Sequence, residues 1–280
     1  MYKKYVCPVI IDYMEKDTLE ILSNVYLSEM STKDKESYFN IIEDNYGINN
    51  IFVTTNDPVQ PNINDYGFRV ACNHKLVMPE SIFEQVLLTL MLYKTSNFGI
   101  KYVRGDKYKD FDVIPNCLYI PKLTIFKTDV PTIKKIYSQV VLYMNDKFFI
   151  KIMDSYKRII SFSELTADEK FRDLVLILEK LYLQGEDHNI KKKISSRIAE
   201  YFSAFYTKNY DIVYAFIKDV YSIRSNIAHY GESNLDFENA NNNKFLELLN
   251  ITRLSILLYL ENNFAFDSKM LKQIKIKDKI

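Results

Sequence analysis

The chain has 280 residues, 48% hydrophobic and 26% charged, with 37 basic against 36 acidic side chains and a net charge of +1. That length suits one large domain or two smaller ones, and the charge balance excludes both an acidic solvating chain and the strongly basic footprint of a general DNA binder. With only 6 glycines and 7 prolines, collagen-like and low-complexity classes are excluded and long helices are favoured.

Three cysteines (Cys7, Cys72 and Cys117) are odd in number, far apart and form no CxxC. This argues against a disulfide framework or zinc ribbon and for a reducing, cytoplasmic compartment. The opening MYKKYVCPVIIDYMEKD is interrupted at Cys7-Pro8 and closed by Asp12, too short for a signal peptide. No apolar run reaches the roughly 18 residues that span a bilayer, so no membrane partner is expected. The 22 tyrosines accompany abundant Phe, Ile, Asn and Lys, as an AT-rich coding sequence produces, and are not read as a base-stacking set.

In chain order, residues 1–130 read as a variable, mixed α+β domain suited to sensing or substrate recognition. β-prone runs rich in Val, Ile, Tyr and Phe fall at Ile51–Thr55, Phe68–Cys72, Ile100–Arg104 and Leu118–Phe126. Helices are predicted over Ser31–Tyr46, stopped by Gly47, and over Pro79–Tyr93, where Ile82, Val86, Leu87 and Leu90 recur at helical spacing. The stretch from Asp57-Pro58 to Gly67 is a loop by its Pro, Asn and Gly content.

From Val130 the pattern becomes helical, giving a domain over residues 131–265. Pro131–Met144 and Asp146–Ile160 are separated by Asn145. Thr166-Ala167-Asp168-Glu169 is a capping box, in which the threonine oxygen accepts an N3 amide while the glutamate reaches back. It opens a helix that ends near Gly185. Phe171, Leu174, Val175, Leu178, Leu181 and Tyr182 form its stripe, and Leu176, Ile177 and Leu183 widen it almost all round, which predicts a central helix. Ile190–Phe205, Tyr210–His229 and Phe245–Leu260 follow, and residues 266–280 form a basic tail in which Lys alternates with Ile.

One constellation carries chemistry: Arg224-Ser225-Asn226-Ile227-Ala228-His229. A guanidinium is always charged and grips phosphate oxygens bidentately. An imidazole titrating near pH 6.5 can take a proton from a ribose 2′-OH or return one to the leaving oxygen. Together they suit phosphodiester cleavage without a metal, and His74 and His188 have no partners at ligand spacing. The competing reading is a solvated histidine at a helix C-terminus, where imidazolium complements the macrodipole. A five-residue step rotates about 140°, so Arg224 and His229 face apart on an ideal helix while Asn226 shares the face of His229.

Three segments taken in order resemble the Apea-like branch of the HEPN superfamily over about residues 145–262. They are Phe171-Arg172-Asp173-Leu174 through Tyr182, Ser195-Ser196-Arg197-Ile198-Ala199, and Tyr221 through Gly231 with an RxxxxH motif. The resemblance implies a C-terminal all-α HEPN bundle, so the expected fold is mainly α with a smaller α+β domain in front. It also implies homodimers joined through the motif helices and a cofactor-free endoribonuclease acting on cellular RNA such as tRNA, in phage defence or growth arrest. Its catalytic pair falls on Arg224 and His229, its intervening polar residue on Asn226, and its acidic supporting positions on Asp173 and Glu179. His229 is then the general acid/base and Arg224 the phosphate clamp. Lys191, Lys192 and Lys193, with Arg197, are weaker candidates for the RNA backbone. The alternative within the same resemblance is a non-catalytic module that binds a nucleotide or a protein.

Overall fold

A computed structural model describes residues 3–10, 13–14, 18–22, 25–29, 68–74, 79–95, 99–100, 123–160, 165–183, 185–186, 188–230 and 242–262. The described residues are mainly α-helical. Packing divides the chain into two units, Met1–Ser163 and Glu164–Ile280. This division falls well after Val130, where the sequence turns helical.

In the first unit the described strands are β1 (Lys3–Ile10), β2 (Tyr13–Met14), β3 (Thr18–Leu22), β4 (Val25–Glu29), β5 (Phe68–His74), β6 (Gly99–Ile100) and β7 (Thr124–Ile125). Five of them form an antiparallel sheet in the order β3-β4-β5-β1-β6, while β2 and β7 pair in parallel. The expected run at Phe68–Cys72 is β5, two residues longer than predicted. The strands between Lys3 and Glu29 were not anticipated. Pro8 is one reason: it stands opposite Arg69 within β1, between two neighbouring strands, where a missing N–H usually argues against a strand. The runs predicted at Ile51–Thr55 and Ser31–Tyr46, the loop from Asp57 to Gly67 and the tail 266–280 lie outside the described residues.

Three helices accompany these strands. α1 is Pro79–Tyr93, with the predicted bounds, and buries Val86, Leu87, Leu90, Met91 and Leu92. α2 (Val130–Tyr143) opens on Pro131 and buries Ile133, Ile136, Val140 and Tyr143, a stripe at three- and four-residue steps that lets it pack against α1 and β3. α3 (Lys147–Ile160) is capped by Asp146, whose Oδ1 accepts the amides of Phe148 at 2.7 Å and Phe149 at 3.1 Å.

The second unit is built on α4 (Ala167–Leu183). Its capping box is formed: the Thr166 amide donates to Glu169 Oε2 at 2.7 Å and the Glu169 amide donates to Thr166 Oγ1 at 3.3 Å. Phe171, Leu174, Val175, Ile177, Leu178, Leu181 and Tyr182 are all buried, because α4 is packed by α5 (Ile190–Tyr206), α6 (Tyr210–Tyr230) and α7 (Asn242–Asn262). Burying each large aromatic here contributes about 2–3 kcal/mol. Beside these side chains the Tyr182 hydroxyl donates to Ser255 Oγ at 3.0 Å, and Ser255 donates to the Ile251 carbonyl at 2.8 Å. α4 stops before Gly185, which takes φ +84°. α5 stops at Thr207 in the same left-handed region (φ 51°), with its amide on the Phe202 carbonyl.

Candidate functional site

α6 presents Val213, Ile217, Val220 and Ile227 to the interior. Arg224 lies one turn beyond Val220 on that inward side, and this brings its guanidinium to the seam with α4. Its Nε lies 3.6 Å from Oε1 of Glu179, with the two side chains 25% and 18% exposed. This is an ion pair just beyond hydrogen-bond reach. Both facing atoms are buried and have no hydrogen-bond partner among the described residues. Tyr221, three residues before Arg224 and so on the same helical face, places its ring centroid 5.7 Å from the guanidinium carbon. Burial pushes the Tyr221 hydroxyl above its ordinary range, and the Glu179 charge adds to this while Arg224 opposes it. Three side chains from two helices thus form a small polar cluster in an otherwise apolar seam.

The other half of the motif faces elsewhere. α6 remains helical through Tyr230, so the five-residue step keeps its rotation of about 140°. Asn226 and His229 are both exposed near its C-terminal end. The His229 ring meets that of Tyr230, with centroids 6.4 Å apart, and Tyr230 is 79% exposed. Within one chain the structure therefore separates Arg224 from His229. It unites Arg224 with Glu179, and Asn226 with the face of His229.

The remaining candidates are placed as follows. Asp173 is buried, with its Oδ1 accepting Nε and Nη2 of Arg172 at 3.3 Å each. Six residues turn α4 by about 240°, so Asp173 does not share the face of Glu179. The basic first turn of α5 is largely engaged inside the unit. Lys191 Nζ donates to Ser222 Oγ on α6 at 2.6 Å, Lys193 pairs with Glu186 at 2.7 Å, and Lys192 is exposed. Arg197 donates through Nη1 to the Tyr182 carbonyl and through Nη2 to Glu186, both at 2.6 Å, tying the end of α4 to α5. The Lys193 ammonium and then the Arg197 guanidinium hold the Glu186 carboxyl below the usual range. Among the described residues, no group of three or more His, Cys, Asp or Glu side chains is placed to hold a metal ion, and no helix is long and apolar enough to cross a membrane.

Sequence reasoning gave Tyr221 no role. Its signal was available in the i, i+3 spacing to Arg224, but that spacing means something only once the face turned toward Glu179 is known. Comparison of the chain with known protein families, curated proteins and solved structures finds no match.

Proposed function

We propose that the chain is a metal-independent HEPN-type endoribonuclease, with its motif in the helices of the second unit and residues 1–130 as a sensing or substrate-recognition domain. The observation that carries the reading is the state of Arg224 at the end of α6. Its Nε edge is turned to Glu179 at 3.6 Å, beyond hydrogen-bond distance, while the side chain as a whole stays 25% exposed. A guanidinium held at its Nε edge and still partly open to solvent suits bidentate phosphate recognition through its Nη groups. His229, exposed five residues on, is open to a ribose. It would take the 2′-OH proton as the oxygen attacks the adjacent phosphorus, and a protonated imidazole would donate to the departing 5′ oxygen. Arg224 would offset the charge that builds on the phosphoryl oxygens. Because the two groups diverge on one helix, the working unit is a homodimer in which each phosphate meets groups from both chains. The substrate is cellular RNA such as tRNA, in the cytoplasm, and the outcome is growth arrest or phage defence.

The Arg224–Glu179 pair also favours a second reading. An arginine spent on an internal ion pair suits a non-catalytic module that binds a nucleotide or a protein partner. Brief expression followed by sequencing of RNA 5′ ends separates the two. New ends with wild type that vanish with Arg224→Ala support the nuclease, and identical ends from both chains overturn it.

A further inference from the structure

We infer that Tyr221 is a positioning residue for Arg224: its ring supports one face of the guanidinium while Glu179 restrains the Nε edge, so that only the Nη fork is left to meet a phosphate. This deepens the nuclease reading and rests on it for the identity of the ligand, but the holding itself belongs to the free protein. The guanidinium carbon sits 5.7 Å from the Tyr221 centroid and Nε sits 3.6 Å from the Glu179 carboxylate. The ring belongs to α6 and the carboxylate to α4, and an arginine held by both loses rotamer freedom that otherwise opposes binding. An arginine lying over an aromatic face is attracted by the ring quadrupole, more strongly where water is excluded. The seam is such a place, since Nε of Arg224 and Oε1 of Glu179 are both shut off from solvent.

The 3.6 Å gap has a consequence of its own. A carboxylate in full bidentate contact would occupy the same donors that a phosphate needs. One that stands at the Nε edge, beyond hydrogen-bond distance, supplies charge and orientation while leaving the fork unspent. Tyr221 then supplies the restraint that the missing hydrogen bond does not.

The test uses the full chain carrying His229→Ala, so that RNA stays uncut, and two readouts. The first is the Nε–H resonance of Arg224 in 15N-labelled protein, identified by its loss in Arg224→Ala. The second is fluorescence anisotropy with a labelled single-stranded RNA of mixed sequence. Tyr221→Leu should broaden or shift the Arg224 resonance toward that of a freely solvated arginine and weaken RNA binding about tenfold. Tyr221→Gln, a good helix former at a half-exposed position, provides the same loss of ring should the leucine variant not fold. Tyr221→Phe keeps the ring and should restore both signals to within about threefold, a rescue that general loss of packing would not produce. A Tyr221→Leu or Tyr221→Gln chain with an unchanged Arg224 resonance and unchanged affinity overturns the inference. If Arg224→Ala binds RNA as tightly as its parent, the phosphate-clamp reading falls instead, and the resonance still decides whether Tyr221 holds the guanidinium.

Discussion

Arg224 and His229 differ most in what surrounds them, and the difference should appear when each is removed. His229 is exposed at the end of α6, so His229→Ala should abolish cleavage while leaving the melting curve within about 0.5 kcal/mol of wild type. Arg224→Ala should also abolish cleavage, but it leaves the Glu179 carboxylate in the seam without its nearest cation, a loss of about 1–3 kcal/mol. Circular dichroism melts beside an RNA cleavage assay check both. If His229→Ala unfolds the chain, that residue is structural and the site assignment fails. Asn226, exposed and sharing the His229 face, should orient rather than react, so Asn226→Ala should slow cleavage less than either. The chemistry makes a further demand. With the 2′-OH as nucleophile, products carry a 2′,3′-cyclic phosphate or its opened form, and a 2′-O-methyl group at the cut site should make the substrate inert.

At the scale of elements, helix ends and buried tyrosines set the sensitivities. Thr207 closes α5 with φ 51°, in a region where a β-branched residue is strained and glycine is not. Thr207→Gly should therefore stabilise the second unit by about 0.5–1 kcal/mol, seen as a higher urea midpoint with an unchanged slope. The opposite sign would mean that the Thr207 side chain contributes more than its backbone costs. Tyr182→Phe removes the buried bond to Ser255 and should cost about 1 kcal/mol, since Ser255 keeps its bond to the Ile251 carbonyl. Tyr206 makes the alkaline limit of this unit legible. Its hydroxyl donates to the Leu254 carbonyl at 3.2 Å, and burial, aided by the Glu261 charge, pushes it up to about 12. Its pKa is higher folded than unfolded, so its contribution is complete below about pH 10 and is lost as pH climbs from about 10 to about 12. Melts across that window should fall more steeply for wild type than for Tyr206→Phe. Equal slopes would remove Tyr206 from the account.

For the whole molecule, the proposed nuclease chemistry requires assembly, because Arg224 and His229 diverge on an unbroken helix. Light scattering should give about twice 33.1 kDa at micromolar concentration. Mixing Arg224→Ala chains with His229→Ala chains should restore part of the cleavage, because mixed dimers hold one complete pair across the axis. A monomer that cleaves at full rate ends that idea. Cleavage should also persist in excess EDTA, and activity lost there but restored by magnesium or manganese would contradict a mechanism run by imidazole and guanidinium alone.

Much of the second unit was legible in the sequence because its signals are local. The Thr166–Glu169 capping box, the apolar face of α4, the stop near Gly185 and the bounds of α5 and α6 follow from three- and four-residue periodicity and cap chemistry, which need no distant partner. The strands of the first unit were less so. Strands as short as Tyr13–Met14 and Thr18–Leu22 carry little pattern, and Pro8 speaks against the strand that it occupies. At the site, the sequence by itself determined which residue types stand five apart on α6, and helical geometry already separated them by about 140°. Only the tertiary structure decided that Arg224 turns to Glu179 across the α4–α6 seam, that Tyr221 lies beneath it, and that Lys191, Lys193 and Arg197 are engaged inside the bundle. Those pairings depend on how helices roll against one another, which is set by summed packing over whole faces and by no single residue's spacing.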